Sequence, residues 1–590
     1  MMDQSNKTEY TGVTIGPIVT TLLSAKSTKG TWAASYLFAS FMRNLLDAFW
    51  KAHPDSRTDL LMPAFDGTYD EDVRAGLYPD RCILQGDYVA TLESAKTSLI
   101  TQLAKDIVAD LESSKLKLYG KAGRWETNEL TLDKVTQYLF EYLTIRIHLF
   151  RFEEVVENPV VAINRLLDTA ELDMRPISEA DTDFLYYFLD HVYYNSLVRE
   201  RFSMGTRELF FPSTAEIAAQ TYDGQDAYLA AQSILRSKEG EGAVDDPEAQ
   251  QNFYDVLKKS YGDNFRNFQK YVAVIQADAD NMRGVIQQIF MAGDDGGLSS
   301  EELFQKFSAL LKSFSKEAVQ MIVKNGGTSV FGGGDEQLFF APVAQLVIEN
   351  EGGEQQALVS STVFGLIDKL DALFQKRICE GEFKDLIAKL DKRPTFSFGV
   401  SIAYYKFPFN EILSLSFDLM KNKAKSGDKN GLAWEVCKHS GVRFGTVMQK
   451  DTDVYKQFRV FLKSFTQQRP EGNVIKGVAF KLQTLALLLQ EIGLKPAHER
   501  AKHLASLFKN QFNEETHLEP AKPGMLRKDR KLKAYLEHLK ELILCIYAMN
   551  ELSDFTKKQV AAENQRKIDQ VVAILRLVNF IHNNEERDEF

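Results

Sequence analysis

Short apolar runs alternate with longer amphipathic stretches between Tyr271 and about Phe444. Apolar or alternating runs rich in Val, Ile and Phe are typical of strands, and apolar residues three or four apart are typical of helices. The pattern predicts a strand at 271–277, a helix around 303–323, a hairpin from 329–331 and 337–341, a strand at 395–404 and a helix at 411–424. This order is typical of a ferredoxin-like α+β layer, the palm architecture.

A weaker version of this rhythm occupies the N-terminal part of the chain. It predicts a strand at 9–18, a long amphipathic helix at 31–50 and a pair of strands at 81–92. We therefore expect a second, degenerate palm-like domain here. Residues 130 to about 235 are expected to be mostly helical.

The chain is predicted to be helical from about Asp451 to its end. In residues 474–492 the apolar residues have helical spacing, with Asn473 as a plausible N-cap and Gly493 as a C-terminal stop. The same spacing recurs in residues 530–550 and 557–580. A helical bundle is the simplest architecture for this region.

Three polar segments interrupt the periodic pattern and are predicted to be loops: 237–250, 349–356 and 515–530. The predicted fold is α+β, with two ferredoxin-like palm or nucleotidyl-cyclase domains, the first degenerate, and with interleaved and C-terminal helical domains. The expected boundaries are 1–165 for the palm-like domain, 166–268 for a helical connection, 269–446 for the second, cyclase-like palm domain and 447–590 for the bundle.

Composition narrows the function classes. The formal net charge is −11, so the chain alone is expected to bind nucleic acid weakly or not at all, because phosphate binding favours a basic surface. No apolar run approaches the length of a membrane span and no signal peptide is apparent, which favours a cytoplasmic protein without membrane partners. The four cysteines are scattered, so no zinc site is expected: Cys82, Cys379, Cys437 and Cys545.

The sequence FGGGDEQLFF at 331–340 carries the strongest chemical signal. Three glycines, Gly332, Gly333 and Gly334, permit a tight turn and close approach of a ligand to the backbone. Asp335 and Glu336 would then lie at the tip of a hairpin, where two adjacent carboxylates suit a divalent cation with oxygen ligands. A plain hairpin with solvated acids explains this motif alone about equally well.

A second acidic motif follows the predicted strand 271–277. Asp278 and Asp280 come directly after it. A strand-end carboxylate beside a hairpin tip allows three acids to converge on two metal ions, which can activate a ribose hydroxyl and stabilise a pyrophosphate leaving group. The alternative is that both aspartates simply terminate a strand.

The third motif is a helix that ends in lysines and a glycine turn, residues 417–430 (FDLMKNKAKSGDKN). Lys425 could meet a triphosphate as a point charge. A solvated basic helix end is an equally plausible interpretation of Lys425 taken singly.

Together these motifs resemble the nucleotidyl cyclase superfamily, in which a strand ends in Asp-x-Asp, a hairpin carries Gly-Gly-Asp-Glu and a helix ends in Ala-Lys-x-x-Gly-x-Asn. The wider sequence resembles the large subunit of type III-B CRISPR effector complexes. The ordered stretches that carry this resemblance are 15–18, 26–37, 76–81 (GLYPDR), 211–218, 397–403, 429–430 and 438–441.

This resemblance implies an enzyme that consumes ATP and releases pyrophosphate. It implies that Asp278, Asp335 and Glu336 hold two Mg²⁺ or Mn²⁺ ions, that Asp280 supports them, and that Ser401, Lys425 and the three glycines lie near the nucleotide. The product would be a cyclic oligoadenylate, made when a guide RNA pairs with target RNA. The implied partners are the other complex subunits with their guide RNA, including small helical subunits at the C-terminal domain.

The sequence departs from the family pattern in three ways. It has Gly-Gly-Asp-Glu where Gly-Gly-Asp-Asp is usual, it lacks the cysteine pairs that bind zinc, and it shows no histidine–aspartate pair of an HD nuclease domain, only the reverse dipeptide Asp190-His191. We therefore expect a variant without the nuclease. Some such members look adapted to join AMP to S-adenosylmethionine, and an acidic loop that includes Asp70 could dock this cationic acceptor, although a solvated loop is the simpler explanation.

Two other functions remain open at this stage. The chain could be a catalytically silent scaffold of the same complex, although the intact acidic trio argues against that. It could also be a stand-alone diguanylate-type cyclase, against which the long helical flanks and the absence of Phe after Gly-Gly-Asp-Glu argue.

Overall fold

A computed structural model describes residues 9–67, 75–113, 131–172, 188–189, 211–221, 226–237, 247–292, 298–351, 354–466, 480–511, 530–548 and 557–582. The first domain contains β1 (Glu9–Gly16), α1 (Ile18–Ser24), α2 (Thr28–Ala52), β2 (Leu60–Met62), β3 (Arg81–Gln85), α3 (Val89–Ser113), α4 (Leu132–Tyr142), β4 (Thr144–Arg151) and α5 (Pro159–Glu171). Its four strands form an antiparallel sheet in the order β2-β3-β1-β4. This is the ferredoxin-like arrangement, so the predicted first palm-like domain is confirmed.

Two predictions within this domain were wrong. Residues 81–92 do not form a pair of strands, because β3 ends at Gln85, Gly86 turns the chain with a φ of 110°, and a long helix begins at Val89. The strand that pairs with β3 from the other side is the short β2. Residues 144–151 were expected to be helical but form β4, in which Ile145 and Ile147 are buried in the period-two pattern of a strand.

Described parts of the connecting region are helical, as predicted: α6 (Thr214–Ala219), α7 (Asp226–Ser237) and α8 (Pro247–Tyr261). Ser213 caps α6 in a reciprocal capping box with Glu216, which is fully buried. Tyr254 of α8 donates its hydroxyl to the carbonyl oxygen of Ala215 at 3.2 Å, which ties α8 to α6.

The second domain repeats the ferredoxin-like order and extends it. Its elements are β5 (Tyr271–Asp280), α9 (Met282–Ala292), α10 (Ser300–Lys324), β6 (Thr328–Gly333), β7 (Glu336–Pro342), β8 (Ala344–Glu351), β9 (Glu354–Thr362), α11 (Val363–Phe374), α12 (Lys384–Ile387), β10 (Thr395–Tyr404), α13 (Phe409–Asp418), β11 (Gly431–Cys437) and β12 (Arg443–Gln449). The six-stranded sheet has the order β12-β11-β10-β5-β7-β6, and β8 and β9 form a separate hairpin. The predicted palm order of strand, helix, hairpin, strand and helix is confirmed.

Some boundaries differ from the expectation. The strand predicted at 271–277 continues to Asp280, so Asp278 and Asp280 lie within β5 rather than beyond it. The helix predicted at 411–424 is α13 followed by a wider π-helical turn, Leu419–Ala424. The predicted loop at 349–356 is shorter than expected, since β8 ends at Glu351 and β9 begins at Glu354.

The two faces of the second sheet pack against different partners. On one face Val272, Val274 and Phe340 join a core with the first domain, including Trp32 and Phe38 of α2. On the other face the buried side chains belong to a core with α10 and α11; among its members are Ala273, Ile275, Phe339, Phe314 and Phe374. The sheet is therefore held between the first domain and its own helices, and its strand ends remain at the domain boundary.

The C-terminal region is helical in its described parts: α14 (Asp453–Thr466), α15 (Ala486–Gly493), α16 (Ala497–Gln511), α17 (Arg530–Ala548) and α18 (Lys557–His582). Gly493 ends α15, as predicted. Asn473 lies outside the described residues, as does the predicted loop at 515–530 except for Arg530, where α17 begins. Among the helices that the structure describes, none combines the length and apolar character that a bilayer span requires.

Candidate active site

The glycine-rich hairpin forms as predicted, between β6 and β7. Gly333 pairs with Glu336 across the turn, and Gly334 has a φ of 69°, the left-handed backbone that favours glycine. A Cβ on Gly334 would meet nothing within 4 Å, so this residue faces open space. Asp335, the next residue, completes the turn.

The other two glycines have packing roles. A Cβ on Gly332 would lie 2.9 Å from the side chain of Gln337, and one on Gly333 would lie 2.2 Å from the ring of Phe331. The amide of Gly332 already donates to the carbonyl oxygen of Gly76 at 2.8 Å. Of the three predicted nucleotide-binding glycines, only Gly334 therefore faces open space.

The strand end and the hairpin turn meet through adjacent strands. Asp278 of β5 lies directly opposite Glu336 of β7, and the amide of Ala279 donates to the carbonyl oxygen of Asp335 at 3.1 Å. Residues directly opposite on antiparallel strands have Cβ atoms about 5 Å apart. The structure thus brings together the three acids that the sequence singled out.

Burial raises the pKa of all three carboxyl groups. Burial and, to a lesser extent, the negative charge of Asp278 together raise the pKa of Asp335 to about 7. Burial also raises the pKa of Asp278 and of Glu336, although the adjacent Lys425 opposes both shifts. Glu336 is solvent-exposed, yet enough protein surrounds it to desolvate its carboxyl.

A fourth acid that the sequence analysis missed comes from the first domain. Asp80 adds to the upward pKa shifts of Asp335 and Glu336, and burial raises its own pKa. Its backbone carbonyl accepts from the amide of Ile15 at 2.9 Å, which anchors it to β1. The GLYPDR stretch contains this residue, but nothing in the sequence indicated that the domain boundary would bring it to the hairpin.

Asp280 holds the neighbouring strands together. Its Oδ2 accepts hydrogen bonds from the hydroxyls of Thr395 at 2.7 Å and Ser397 at 2.6 Å, and from the amide of Asn430 at 3.0 Å. Its Oδ1 is buried and has no hydrogen-bond partner. Asp280 therefore fixes β10 and the loop after the π-helical turn, and it leaves one oxygen directed at the site.

Lys425 lies among the strand-end acids. Its ammonium forms an ion pair with Oδ2 of Asp278, donates to the carbonyl oxygen of Ala279 at 3.0 Å and lies 3.7 Å from Oδ1 of Asp280. Its side chain is 19% exposed. The lysine is therefore part of the acidic cluster, and it does not stand apart at a solvated helix end.

Ser401, which was predicted to lie near the nucleotide, is placed by the structure away from the acidic cluster. Its side chain is fully buried, and its hydroxyl donates to the carbonyl oxygen of Ile412 at 2.7 Å, which joins β10 to α13. It lies four residues along β10 from Ser397, the partner of Asp278, a separation of roughly 13 Å. No surface of Ser401 is open to a ligand.

The predicted acceptor residue Asp70 and the dipeptide Asp190-His191 lie outside the described residues. Asp66, from the same acidic loop, is described and forms an exposed ion pair with Lys312 at 3.5 Å.

A divalent metal ion such as Mg²⁺ requires several oxygen ligands that can reach the same point. In the described part of the chain, no three His, Cys, Asp or Glu side chains stand close enough to share one ion. The oxygens around the Lys425 ammonium are nevertheless two carboxylates and a backbone carbonyl, the chemistry that Mg²⁺ prefers, and Oδ1 of Asp280 has no other partner. These atoms therefore offer oxygen donors of the kind that a divalent metal ion takes, although the described side chains do not by themselves complete a metal site.

Two ferredoxin-like sheets with acids gathered at a strand end and a hairpin turn define a palm-type protein. Residues 271–433 match the family model for the second palm domain of Cas10/Cmr2. The second domain is therefore similar to the second palm domain of Cas10/Cmr2, in agreement with the resemblance that its sequence motifs indicated.

Solved structures agree at the level of the fold. A chain of type III-B Cmr-beta in the apo state aligns over 89% of this chain and 78% of its own length, with a TM-score of 0.51 and 10% identity. A chain of Cmr-beta bound to cognate target RNA aligns over 87% and 79%, with a TM-score of 0.52 and 9% identity. No curated protein matches the chain in sequence.

Proposed function

We propose that this chain is the RNA-activated nucleotidyltransferase subunit of a type III CRISPR antiviral complex. Its palm domain would join AMP units from ATP into a nucleotide second messenger, either a cyclic oligoadenylate or a conjugate of AMP with S-adenosylmethionine. The observation that carries the proposal is the pairing of Asp278 with Glu336, beside Asp335, within a domain that matches the Cas10/Cmr2 palm.

The acids would act by binding metal ions at fixed positions. Asp278, Asp335 and Glu336 would bind two Mg²⁺ or Mn²⁺ ions, with Asp280 in support. When bound, these ions would lower the pKa of the attacking hydroxyl and neutralise the leaving pyrophosphate. Asp80 adds a further negative charge nearby. An acidic cluster with several carboxylates and one lysine favours doubly charged cations.

The reaction needs little covalent work from the protein. A ribose hydroxyl of one nucleotide attacks the α-phosphorus of ATP, a new phosphorus–oxygen bond forms, and the bond to pyrophosphate breaks. Positioning of the reactants and electrostatic stabilisation of the transition state supply most of the rate enhancement in such transfers. Gly334 leaves room for a ligand at the turn, and Asp280 keeps β10 and the 425–430 loop in register with β5.

The complex is expected to supply the RNA. The chain itself is acidic, so its partners would be the other type III-B subunits with their guide RNA, through which target RNA acts indirectly. The fold-level likeness to a Cmr-beta complex bound to cognate target RNA supports this assignment.

Mass spectrometry of the reaction products tests the function. The complex assembled with guide and target RNA is incubated with Mg²⁺ and ATP, with and without S-adenosylmethionine, and in parallel with GTP. An adenylate product that depends on target RNA supports the proposal, and the S-adenosylmethionine arm separates the two products. A scaffold would yield no product in any arm, and a diguanylate-type enzyme would use GTP without RNA.

A further inference from the structure

The ammonium of Lys425 lies among oxygen atoms at the end of β5. Three oxygens from three consecutive residues surround its ammonium: Oδ2 of Asp278, the carbonyl of Ala279 and Oδ1 of Asp280. Two are carboxylate oxygens and the third is a backbone carbonyl. A lysine ammonium and a divalent metal ion share a preference for such an oxygen set, so they compete for it.

The geometry around the lysine is fixed on the protein side. Oδ2 of Asp280 accepts three hydrogen bonds, from Thr395, Ser397 and Asn430, so the carboxylate cannot rotate freely. Its Oδ1 is buried without a hydrogen-bond partner and faces the ammonium at 3.7 Å. The Asp280 carboxylate is therefore held in place by groups other than the lysine.

The backbone of Lys425 is anchored, whereas its side chain can rotate. Its backbone amide donates to the carbonyl oxygen of Met420 at 3.1 Å, the wide ring that closes the π-helical turn. The backbone is thus anchored, whereas the four-carbon side chain carries the charge on rotatable bonds. Gly427, two residues on, has a φ of 67°, the left-handed backbone that favours glycine, and a Cβ there would meet nothing within 4 Å.

The charges at the end of β5 also favour an exchange of the lysine ammonium for a metal ion. The ammonium of Lys425 lies against the carboxylates of both Asp278 and Asp280. Removal of its charge would leave these two carboxylates without the ammonium that they share. With a metal ion present, the lysine charge becomes redundant at the strand end and is repelled from it.

We propose that Lys425 is a built-in cation that fills the metal position of the nucleotide-free protein and is displaced when a divalent metal ion binds. Displacement swings the ammonium away from Asp278 and toward the space in front of the hairpin turn, where the triphosphate of ATP would lie. Metal and nucleotide binding are thereby coupled, because the metal ion releases the charge that the phosphates attract. The inference rests on the proposed metal site.

Manganese affinity, measured by electron paramagnetic resonance on the full chain without nucleotide, tests this inference. Lys425→Met removes the charge and keeps much of the side-chain volume. We expect it to bind Mn²⁺ at least about tenfold more tightly than the unaltered protein, because the competing cation is gone. The matched control is Lys423→Met, which removes the same charge from a side chain that pairs with Glu435 at 3.7 Å; it should leave the affinity unchanged.

The outcomes separate this inference from the proposed function. Equal, measurable Mn²⁺ affinity in the Lys425→Met variant and the unaltered protein overturns the displacement while the metal site stands. Absence of Mn²⁺ binding in both overturns the displacement and the metal site together. Lys425→Gln, with a polar tip, provides a second variant should the methionine variant fold poorly, and a melting curve for each identifies such a case.

Discussion

Gly332 of the hairpin and Gly76 of the first domain are joined by a backbone hydrogen bond of 2.8 Å, from the amide of Gly332 to the carbonyl oxygen of Gly76. Gly76 donates in turn to the carbonyl oxygen of Val330 at 3.2 Å. Since β6 is the edge of its sheet, Gly76 covers backbone groups that would otherwise be open. The first domain thereby fixes the strand that carries the acidic turn.

This contact predicts that Gly76→Val destabilises the protein and weakens nucleotide turnover. A Cβ at Gly76 would lie 2.8 Å from Oγ of Ser35 and 3.1 Å from Cβ of Ala39, so the backbone at Gly76 must move away from α2, which disturbs its hydrogen bonds to β6. We expect a loss of about 1–3 kcal/mol in the free energy of unfolding. Denaturant titration measures it. Gly284→Ala is the control: its Cβ would meet only Cδ2 of Leu390 at 3.7 Å, so stability should hold or rise slightly.

Asp335→Ala combined with Glu336→Ala should abolish ATP turnover and leave complex assembly intact. The two carboxylates repel each other in the free protein, so their loss removes metal ligands without removing packing. We expect turnover to fall by at least about a thousandfold. Product formation is measured by mass spectrometry and assembly by gel filtration. Asp428→Ala, an exposed acid in the neighbouring loop, should retain activity, and unchanged products in the double variant would refute the site.

Asp280→Asn should loosen the loop that ends at Asn430. The substitution removes the charge that three donors share and places an amide beside Lys425. Hydrogen bonds to a charged group contribute roughly 1.5–3 kcal/mol, so a loss of that order is expected. Hydrogen exchange at the Asn430 and Gly431 amides reports it locally. Asp418→Asn, an exposed residue that accepts one bond from Asn422 at 2.8 Å, is the matched control and should leave that exchange unchanged.

The buried Lys567 should make the stability of the C-terminal helices depend on pH. Burial, with a smaller contribution from the nearby positive charge of Arg500, lowers the pKa of Lys567 to about 8 from an ordinary value near 10.5. Below pH 8 the lysine is charged in both folded and unfolded chains, and burial of that charge opposes folding. Between pH 8 and 10.5 the folded chain binds fewer protons than the unfolded chain, so stability rises with pH.

Lys567→Met should therefore raise the melting temperature most clearly at pH 7, by an amount equivalent to roughly 1–2 kcal/mol, and the advantage should shrink above pH 8. Calorimetry at pH 7 and pH 9.5 measures both values. Lys558→Met, on the exposed face of the same helix, should give no pH-dependent gain. An equal gain at both pH values would contradict the assigned cause.

The order of strands and helices in the second domain was predictable because its strands are short, apolar and separated by helices with clear periodicity. The strand β10 was predicted with its observed bounds, 395–404. The strand β4 was missed because eight alternating residues lie between two helices, and local pattern alone does not outweigh such neighbours.

The acids at positions 278, 335 and 336 were predictable because residue type and turn chemistry coincide. The roles of Asp80 and the Ala279 carbonyl were not, because one depends on how two domains dock and the other on a backbone atom that every residue carries. The distance of Ser401 from these acids was not predictable for a related reason. Its position on β10 gives no indication of how far along the strand the site extends, which is set by the pairing of Ser397 with Asp278.

The π-helical turn at Leu419–Ala424 also constrains how this chain can change over evolution. It contains more residues per turn than the α-helix before it, and Lys425 is the next residue in the chain. Deleting one residue there would rotate Lys425 by roughly 100° about the helix axis and carry its ammonium off the acidic strand end. We infer that substitutions within this turn are tolerated far more readily than changes in its length.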